Sequence, residues 1–259
     1  MKPNVNNLKK DIGFLTEGDV AKTYINWSGG KDSAFALYYI QQQKKYRVDK
    51  LLTSVNAAYN RISMHGVRRE LLEAQAIAAG IPLTTVELPE QPDMLVYETL
   101  LNTKMEELKV EGFTHTIFGD IFLEDLRRYR EDKLRIVDIV PLFPLWKIDT
   151  NKLVNEFIER GFKTIVVCVN EKFLDKSFCG RIIDKQFIED LPVNVDPCGE
   201  NGEFHTFVFD GPVFKDPIAI TKGEMVYKEY KAPAKLNDNC NQPIGATETP
   251  YGFWFCDLY

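Results

Sequence analysis

The 259-residue sequence predicts an α/β protein, with a parallel-sheet domain first and a smaller α/β domain after it. Three observations carry this expectation. A β-branched and aromatic run, Lys22 to Trp27, leads through a Ser/Gly turn into the Ala- and Leu-rich segment Ala34 to Ile40. Strand-like and helix-like segments then alternate as far as Phe118, the pattern of a parallel sheet with covering helices. Finally, Pro141-Leu142-Phe143-Pro144-Leu145-Trp146 breaks regular structure, and its apolar residues predict a packed joint. The expected division is residues 1–141, residues 142–230 and a C-terminal tail, 231–259.

Met1 to Ala21 is polar and without period, a lead-in. After the first helix, Leu51 to Val55 reads as a strand and Asn56 to Met64 as a polar loop at its carboxyl end. From His65, the spacing of Val67, Leu71, Ala74 and Ala78 predicts a helix that Gly80 and Pro82 stop. Thr84 to Leu88 is a strand, Met94 to Leu108 an amphipathic helix, and Thr114 to Phe118 a strand running into Gly119-Asp120. Ligands of such sheets sit beyond the carboxyl ends of the strands. The glycine turn, the Asn56–Met64 loop and Gly119-Asp120 all fall there. Beyond the joint, a helix (Leu153 to Ile158), a strand (Thr164 to Val169), a helix (Arg181 to Asp190) and strands at Phe204–Phe209 and Ile218–Tyr227 are expected. Phe253-Trp254-Phe255 in the tail is apolar enough to dock, here or on a neighbouring subunit of a homo-oligomer.

Composition narrows the classes. A formal net charge of −6 argues against a broad nucleic-acid-binding face. The first twenty residues hold no apolar core of a secretory leader, and no run approaches a membrane span. The five cysteines are odd in number, dispersed and never in C-x-x-C spacing, which fits neither a disulfide framework nor a zinc site. The expected compartment is cytoplasmic.

Three stretches carry chemistry. Ser28-Gly29-Gly30-Lys31-Asp32-Ser33 sits between strand and helix, where glycines let backbone N–H groups approach an anion and the helix adds its own N-terminal donors. The serines donate to phosphate oxygens and Lys31 adds charge. The spacing is not that of a Walker A loop. It resembles the PP-loop of the ATP pyrophosphatases, which hold the β,γ-phosphates of ATP and cleave between α and β. The second stretch, Gly119 to Glu131, opens with a Gly-Asp pair that can bring a carboxylate, and with it Mg²⁺, to bound phosphates. Its Arg127, Arg128 and Arg130 can offset phosphate charge, or the segment is a solvated charged helix. The third, Asp196 to Thr206, gathers two glycines, carboxylates, an amide and His205, either a polar binding loop or a Gly-Asn turn with solvated acids. One histidine makes a poor metal site, and the spacing gives no support to a Cys198–His205 nucleophile pair.

Taken together, Ser28 to Ser33, Gly119 to Glu131, and Cys198 to Thr206 with Asp210-Gly211-Pro212 resemble the diphthine–ammonia ligase family. This is an ATP pyrophosphatase branch of the adenine-nucleotide α-hydrolase-like superfamily. Smaller echoes are His65, Gln75 to Pro82, Pro144-Leu145-Trp146 and Gly180-Arg181, and the likeness spans about residues 20–216. The resemblance implies a Rossmann-like nucleotide domain and a smaller domain closing a cleft over the substrate. It also implies ATP-driven adenylation of a carboxylate, followed by displacement of AMP by ammonia to give an amide; in eukaryotes the acceptor is diphthine on elongation factor 2. ATP would then be held by Ser28, Gly29, Gly30, Lys31, Asp32 and Ser33 with Asn56, Gly119 and Asp120, and Mg²⁺ by Asp32 and Asp120. Arg127 or Arg128 would stabilise the α-phosphorus, while Glu200, Glu203 and His205 would orient the acceptor or take a proton from ammonia. Asp120 stands where the family usually has a small residue, and the compact chain looks like the prokaryotic members, so the acceptor, a small molecule or a protein, stays open. The rival readings are a tRNA-modifying PP-loop enzyme, against which the acidic balance weighs, and a non-catalytic ATP- or AMP-binding module.

Overall fold

In the computed structural model the described residues are 20–62, 65–230, 236–237, 240–243 and 251–259. The predicted lead-in falls outside them except for its last two residues. The first sheet is built around β1 (Ala21–Asn26), with β2 (Tyr46–Asn56) parallel to it on one side and β5 (His115–Ile117) parallel on the other. Outside these lie β4 (Leu83–Leu88), parallel to β2, and β6 (Val140–Leu142), parallel to β5. A short antiparallel strand, β3 (Arg61–Ile62), pairs with the end of β2, inside the segment expected to be all loop. The strand order therefore reverses between β1 and β5, and the crevice of a doubly wound sheet opens at that reversal.

Alternation along the strands sorts their side chains onto two faces. Ile25, Leu51 and Ile117 face α1 (Lys31–Gln43) and α2 (Arg69–Ala79). Tyr24, Leu52, Leu88 and Phe118 share a second buried cluster with Met105 and Leu108 of α3 (Met94–Val110) and Leu134 of α4 (Glu124–Ile136). The helix expected from His65 begins at Arg69, because a turn at Gly66 with positive φ precedes it.

The joint is packed as expected: Leu145 is fully buried and Trp146 turns back on Phe143. After it come α5 (Thr150–Glu159), β7 (Lys163–Asn170), the short α6 (Lys185–Asp190), β8 (Phe204–Asp210) and β9 (Lys222–Tyr230). Asp184 caps α6 by accepting from the Phe187 N–H, so the helix starts later than the expected Arg181. A two-strand ribbon, β10 (Leu236–Asn237) with β11 (Cys240–Pro243), precedes β12 (Tyr251–Leu258). β12 carries Phe253-Trp254-Phe255 and is antiparallel to both β7 and β9, so the end of the expected tail is an inner strand of the second sheet, ordered β8-β7-β12-β9. Its apolar residues are therefore used within the chain. Among the described residues no helix is long and apolar enough to cross a membrane.

The face carrying α1 and α2 shares one buried cluster with α5 and the second sheet, so the two sheets are joined by core and not by a hinge of loops. Phe157 lies inside this cluster, with ring centroids 5.5 Å from Phe35 and 4.5 Å from Phe162. Phe157→Ala should lower the unfolding free energy by about 3–5 kcal/mol. Urea denaturation checks this, and a loss under about 1 kcal/mol would mean that the site collapses around the missing ring.

Candidate functional site

At the carboxyl ends of β1 and β5 a cleft of about 1850 Å³ opens between the two sheets. Ser28, Gly30, Lys31, Asp32, Ser33, Asn56, Gly119, Asp120, Glu200 and His205 all line it. Gly29, Arg127, Arg128 and Glu203 do not line it.

The loop after β1 is closed on itself and on the second sheet. Ser33 Oγ donates to the Gly30 carbonyl at 2.9 Å, and the Gly30 N–H donates to Ser28 Oγ at 3.2 Å. The Lys31 N–H donates to Thr206 Oγ1 at 3.0 Å, and the Gly29 carbonyl, turned out of the cleft, accepts from the Val208 N–H at 2.9 Å. Gln75, fully buried on α2, completes the clamp. Its Nε2 donates to the carbonyls of Gly29 (2.9 Å) and Val208 (2.6 Å), and its Oε1 accepts from Trp27 Nε1 (2.9 Å). A Cβ on Gly30 would meet the Thr206 carbonyl at 3.0 Å, so glycine is needed here for contact with β8 as well as for any anion. One donor expected to face phosphate, the Lys31 N–H, is spent on Thr206 instead.

Lys31 is buried, and its Nζ lies 2.7 Å from both oxygens of Asp32. Burial opposes its charge, but Asp32 first, then Cys198 and Glu200, hold the ammonium above its ordinary pKa. Gly119 packs so tightly on α1 that a Cβ there would lie 2.8 Å from the Asp32 carbonyl carbon, which sets Asp120 next to Asp32. Asp120 pairs with Arg130, whose Nε is 2.7 Å from Oδ2, and the Arg130 guanidinium lies 4.3 Å over the Phe118 ring.

This corrects the arginine expectation. Arg127 is paired with Glu131 at 2.7 Å and stacked between Phe143 and Trp146, and Arg128 is on the exposed face of α4. Leu123 at the start of α4 and Leu126, Tyr129, Arg130, Lys133 and Leu134 on it line the cleft, so of Arg127, Arg128 and Arg130 only Arg130 reaches it.

Glu203 also differs from expectation. It is 1% exposed, its Oε1 accepts from the Asp196 N–H and Asn201 Nδ2, and its Oε2 accepts from the Asn201 N–H. Its oxygens are engaged in shaping the 196–203 loop, and it does not line the cleft. Asn56 likewise serves its own loop, accepting from the Ala58 and Tyr59 N–H groups and donating to the Glu90 carbonyl. Cys198 is buried, burial pushes its thiol well up, and its Sγ lies on the Thr150 carbonyl. Gln75 and Thr206, which hold the loop, were given no role in the sequence, although both lie in stretches that resemble the family.

Glu200 has no cation as a direct partner among the described residues. Its Oε1 accepts from the Ile121 N–H at 2.8 Å. Burial, then the Asp32 charge, push its carboxyl up to about 7, against the pull of the Ile121 N–H and Lys31. His205 stacks on His65 across the cleft, with ring centroids 4.6 Å apart and planes at 30°. Burial, then the neighbouring imidazole and Lys31, lower His205 to about 3. Burial lowers His65 to about 4, although a hydrogen bond to the Thr206 backbone works the other way. Both rings are neutral at physiological pH.

A strand–glycine-loop–helix unit at the reversal of a doubly wound sheet, with the carboxylates and Arg130 around it, defines a nucleotide-binding α/β protein of the PP-loop kind. Residues 21–137 match the profile of the diphthamide synthase N-terminal domain, and residues 149–238 that of the diphthamide synthase C-terminal domain. The chain belongs to this family. Relatives named diphthine–ammonia ligase include that of Bos taurus, 30% identical over 164 residues, covering 61% of this chain and 59% of the relative. That of Homo sapiens is 31% identical over 65% of this chain and 62% of its own length, and that of Danio rerio 29% identical over 77% and 86%. The chain thus spans about 60% of the mammalian relatives it matches. A solved structure of a predicted subunit of tRNA methyltransferase from Methanocaldococcus jannaschii gives a TM-score of 0.40 at 17% identity, over 56% of this chain and 80% of that one.

Glu200 gives a pH signature with a definite sign. Its folded pKa, about 7, is raised above an ordinary 4.5, so the folded state holds the proton more tightly. The stability it contributes is complete below about pH 4.5 and is lost as pH rises through about 7. In Glu200→Gln that part of the decline should vanish, which a comparison of urea midpoints between pH 4 and 8 checks. Glu203→Ala leaves buried N–H groups without an acceptor and should cost about 1–3 kcal/mol of stability. Unchanged thermal stability would return Glu203 to the list of candidate acid–base groups.

Proposed function

We propose that this chain is an ATP-dependent, AMP-forming ligase that adenylates a carboxylate and joins it to ammonia as an amide. The observation that carries the reading is the Ser28–Ser33 loop sharing one cleft with Asp120–Arg130 and with Glu200, a carboxyl that titrates near neutrality. The family match supports it. The acceptor to try first is diphthine, which the relatives' names specify.

In this reading Ser28, Ser33 and the loop's remaining donors hold the β,γ-phosphates. The apolar end of the cleft, with Leu88, Tyr97, Leu101, Met105 and Phe118, takes the purine. Lys31 and Arg130, each anchored by a carboxylate, offset charge that builds on the α-phosphate and on departing pyrophosphate. An acceptor carboxylate oxygen bonds to the α-phosphorus as the bond to pyrophosphate breaks. The lone pair of ammonia then attacks the acyl carbon and AMP leaves. Glu200, half its population ionised near pH 7, is suited to take the proton the new amide nitrogen must lose.

Among the described residues no three His, Cys, Asp or Glu side chains gather as a metal site. Two adjacent carboxylates, Asp32 and Asp120, do fit a Mg²⁺ ion that completes its shell with phosphate oxygens and water. Such an ion would supply charge neutralisation of the phosphates.

The nucleotide product tests the reading. Incubation with ATP, ammonium chloride and diphthine-bearing elongation factor 2 should give AMP and pyrophosphate in step with amide, read by mass spectrometry. ADP and orthophosphate as the sole products would remove the adenylation mechanism, and AMP formed only with another carboxylate would replace the acceptor. Tight ATP binding without turnover on any carboxylate would favour a binding module.

A further inference from the structure

The proposed reaction needs a place for ammonia, and His65 and His205 form a pair that the phosphate chemistry leaves unused. They come from opposite walls of the cleft: His65 from the loop between β3 and α2, His205 from β8. Their rings lie 4.6 Å apart, and His65 Cε1 is 3.4 Å from where a Cβ on Gly30 would stand, so the pair adjoins the phosphate loop. His65 Nδ1 is buried and has no hydrogen-bond partner among the described residues. A buried polar atom left without a partner costs free energy, and a ligand that supplies one recovers it.

We infer that His65 and His205 form the ammonia subsite of the proposed ligase, with His65 Nδ1 accepting one of the ammonia N–H groups. The inference rests on the ligase reading given above. Ammonia carries three N–H donors and one lone pair. Neutral imidazoles that accept its N–H groups leave the lone pair free to attack the acyl carbon. A cationic imidazole, which is all donor, would not serve. The charged and titratable groups acting on the rings are Lys31 on both and His65 on His205, with no carboxylate acting on either among the described residues, so burial disfavours ammonium while leaving ammonia unaffected. The subsite therefore selects the nucleophilic form over its far more abundant conjugate acid. When the C–N bond forms and the C–O bond to AMP breaks, the nitrogen becomes an N-protonated amide. That is a stronger acid than imidazolium even here, so the accepting ring nitrogen or Glu200 can take the proton and pass it to water.

The test reads binding directly and needs no acceptor. The ring nitrogens of the three histidines are followed in long-range ¹H–¹⁵N spectra of the full chain during titration with ammonium chloride, with sodium chloride as the ionic-strength control. His115, whose ring lies against Tyr46 at the start of β5, is the internal control. His65 and His205 should show saturable shifts, and the total ammonium needed for half-saturation should fall roughly tenfold per pH unit between 7 and 8, because the ammonia fraction rises by that factor. His115 should not respond. The absence of a saturable shift, an equal shift at His115, or a half-saturation that ignores pH would each overturn the subsite. His65→Phe keeps the stacked ring but removes its nitrogens, and should abolish the His205 response. AMP-forming turnover in a protein whose rings ignore ammonia would defeat the subsite alone, whereas saturable ring shifts in a protein that makes no AMP would defeat the ligase reading alone.

Discussion

The loop between β1 and α1 takes its shape from a strand more than 170 residues away. Gly29 offers its carbonyl to Val208 and Gln75, Lys31 gives its N–H to Thr206, and Gly30 is bare because β8 passes where a side chain would be. Backbone groups buried at such a contact must be paired, and β8 and Gln75 pair them. The Ser28–Ser33 loop is thus held by the sheet that also carries His205 and the Glu200 loop. Three hydrogen bonds and one close contact fix it to β8 and Gln75.

Charge in the cleft is arranged on the same principle of fixed partners. Lys31 is neutralised by Asp32 and Arg130 by Asp120, so the two cations stay ionised in a partly desolvated site without drifting toward solvent. Glu200 faces this cluster with a backbone N–H instead of a cation, and burial raises its pKa. Asp257 makes the contrast plain. It is the same kind of group at the other end of the cleft, held well below the usual carboxylate range despite its burial by Arg68 and Arg61. Those two ion pairs also tie β12 to the first sheet, closing the cleft's far wall against the elements around β3.

A core that runs unbroken from α1 through α5 into the second sheet suits this division of labour. The cleft needs two walls at a constant separation, and a shared cluster of phenylalanines holds them more firmly than loops could. β12 lies between β7 and β9, so the wall with Phe255 and Asp257 depends on strand pairing between distant parts of the sequence.

Local signals were enough to make the first sheet legible. Its strands and helices follow the 2-residue and 3.6-residue periods, and Ser28 to Ser33 announces a phosphate loop in six residues because a tight turn before a helix has few solutions. Glu200, His205 and the serines of the loop, which composition and resemblance singled out, line one cleft. Other assignments depend on which way a side chain turns, and a motif does not encode that. Arg127 and Arg128 stand beside Arg130 in sequence, but a helix turns each residue by about 100°, and only the face packed on Phe118 decides that Arg130 enters the cleft. Glu203 reads as an acid in a polar loop until its oxygens are seen to be held by the loop's own N–H groups. The pairing of His65 with His205, the Gln75 clamp and the pairing of β12 with β7 join residues 46 to 140 positions apart, and no local period records such contacts. They exist because burying two sheets against one core brings those residues together, and the tertiary structure alone decides it.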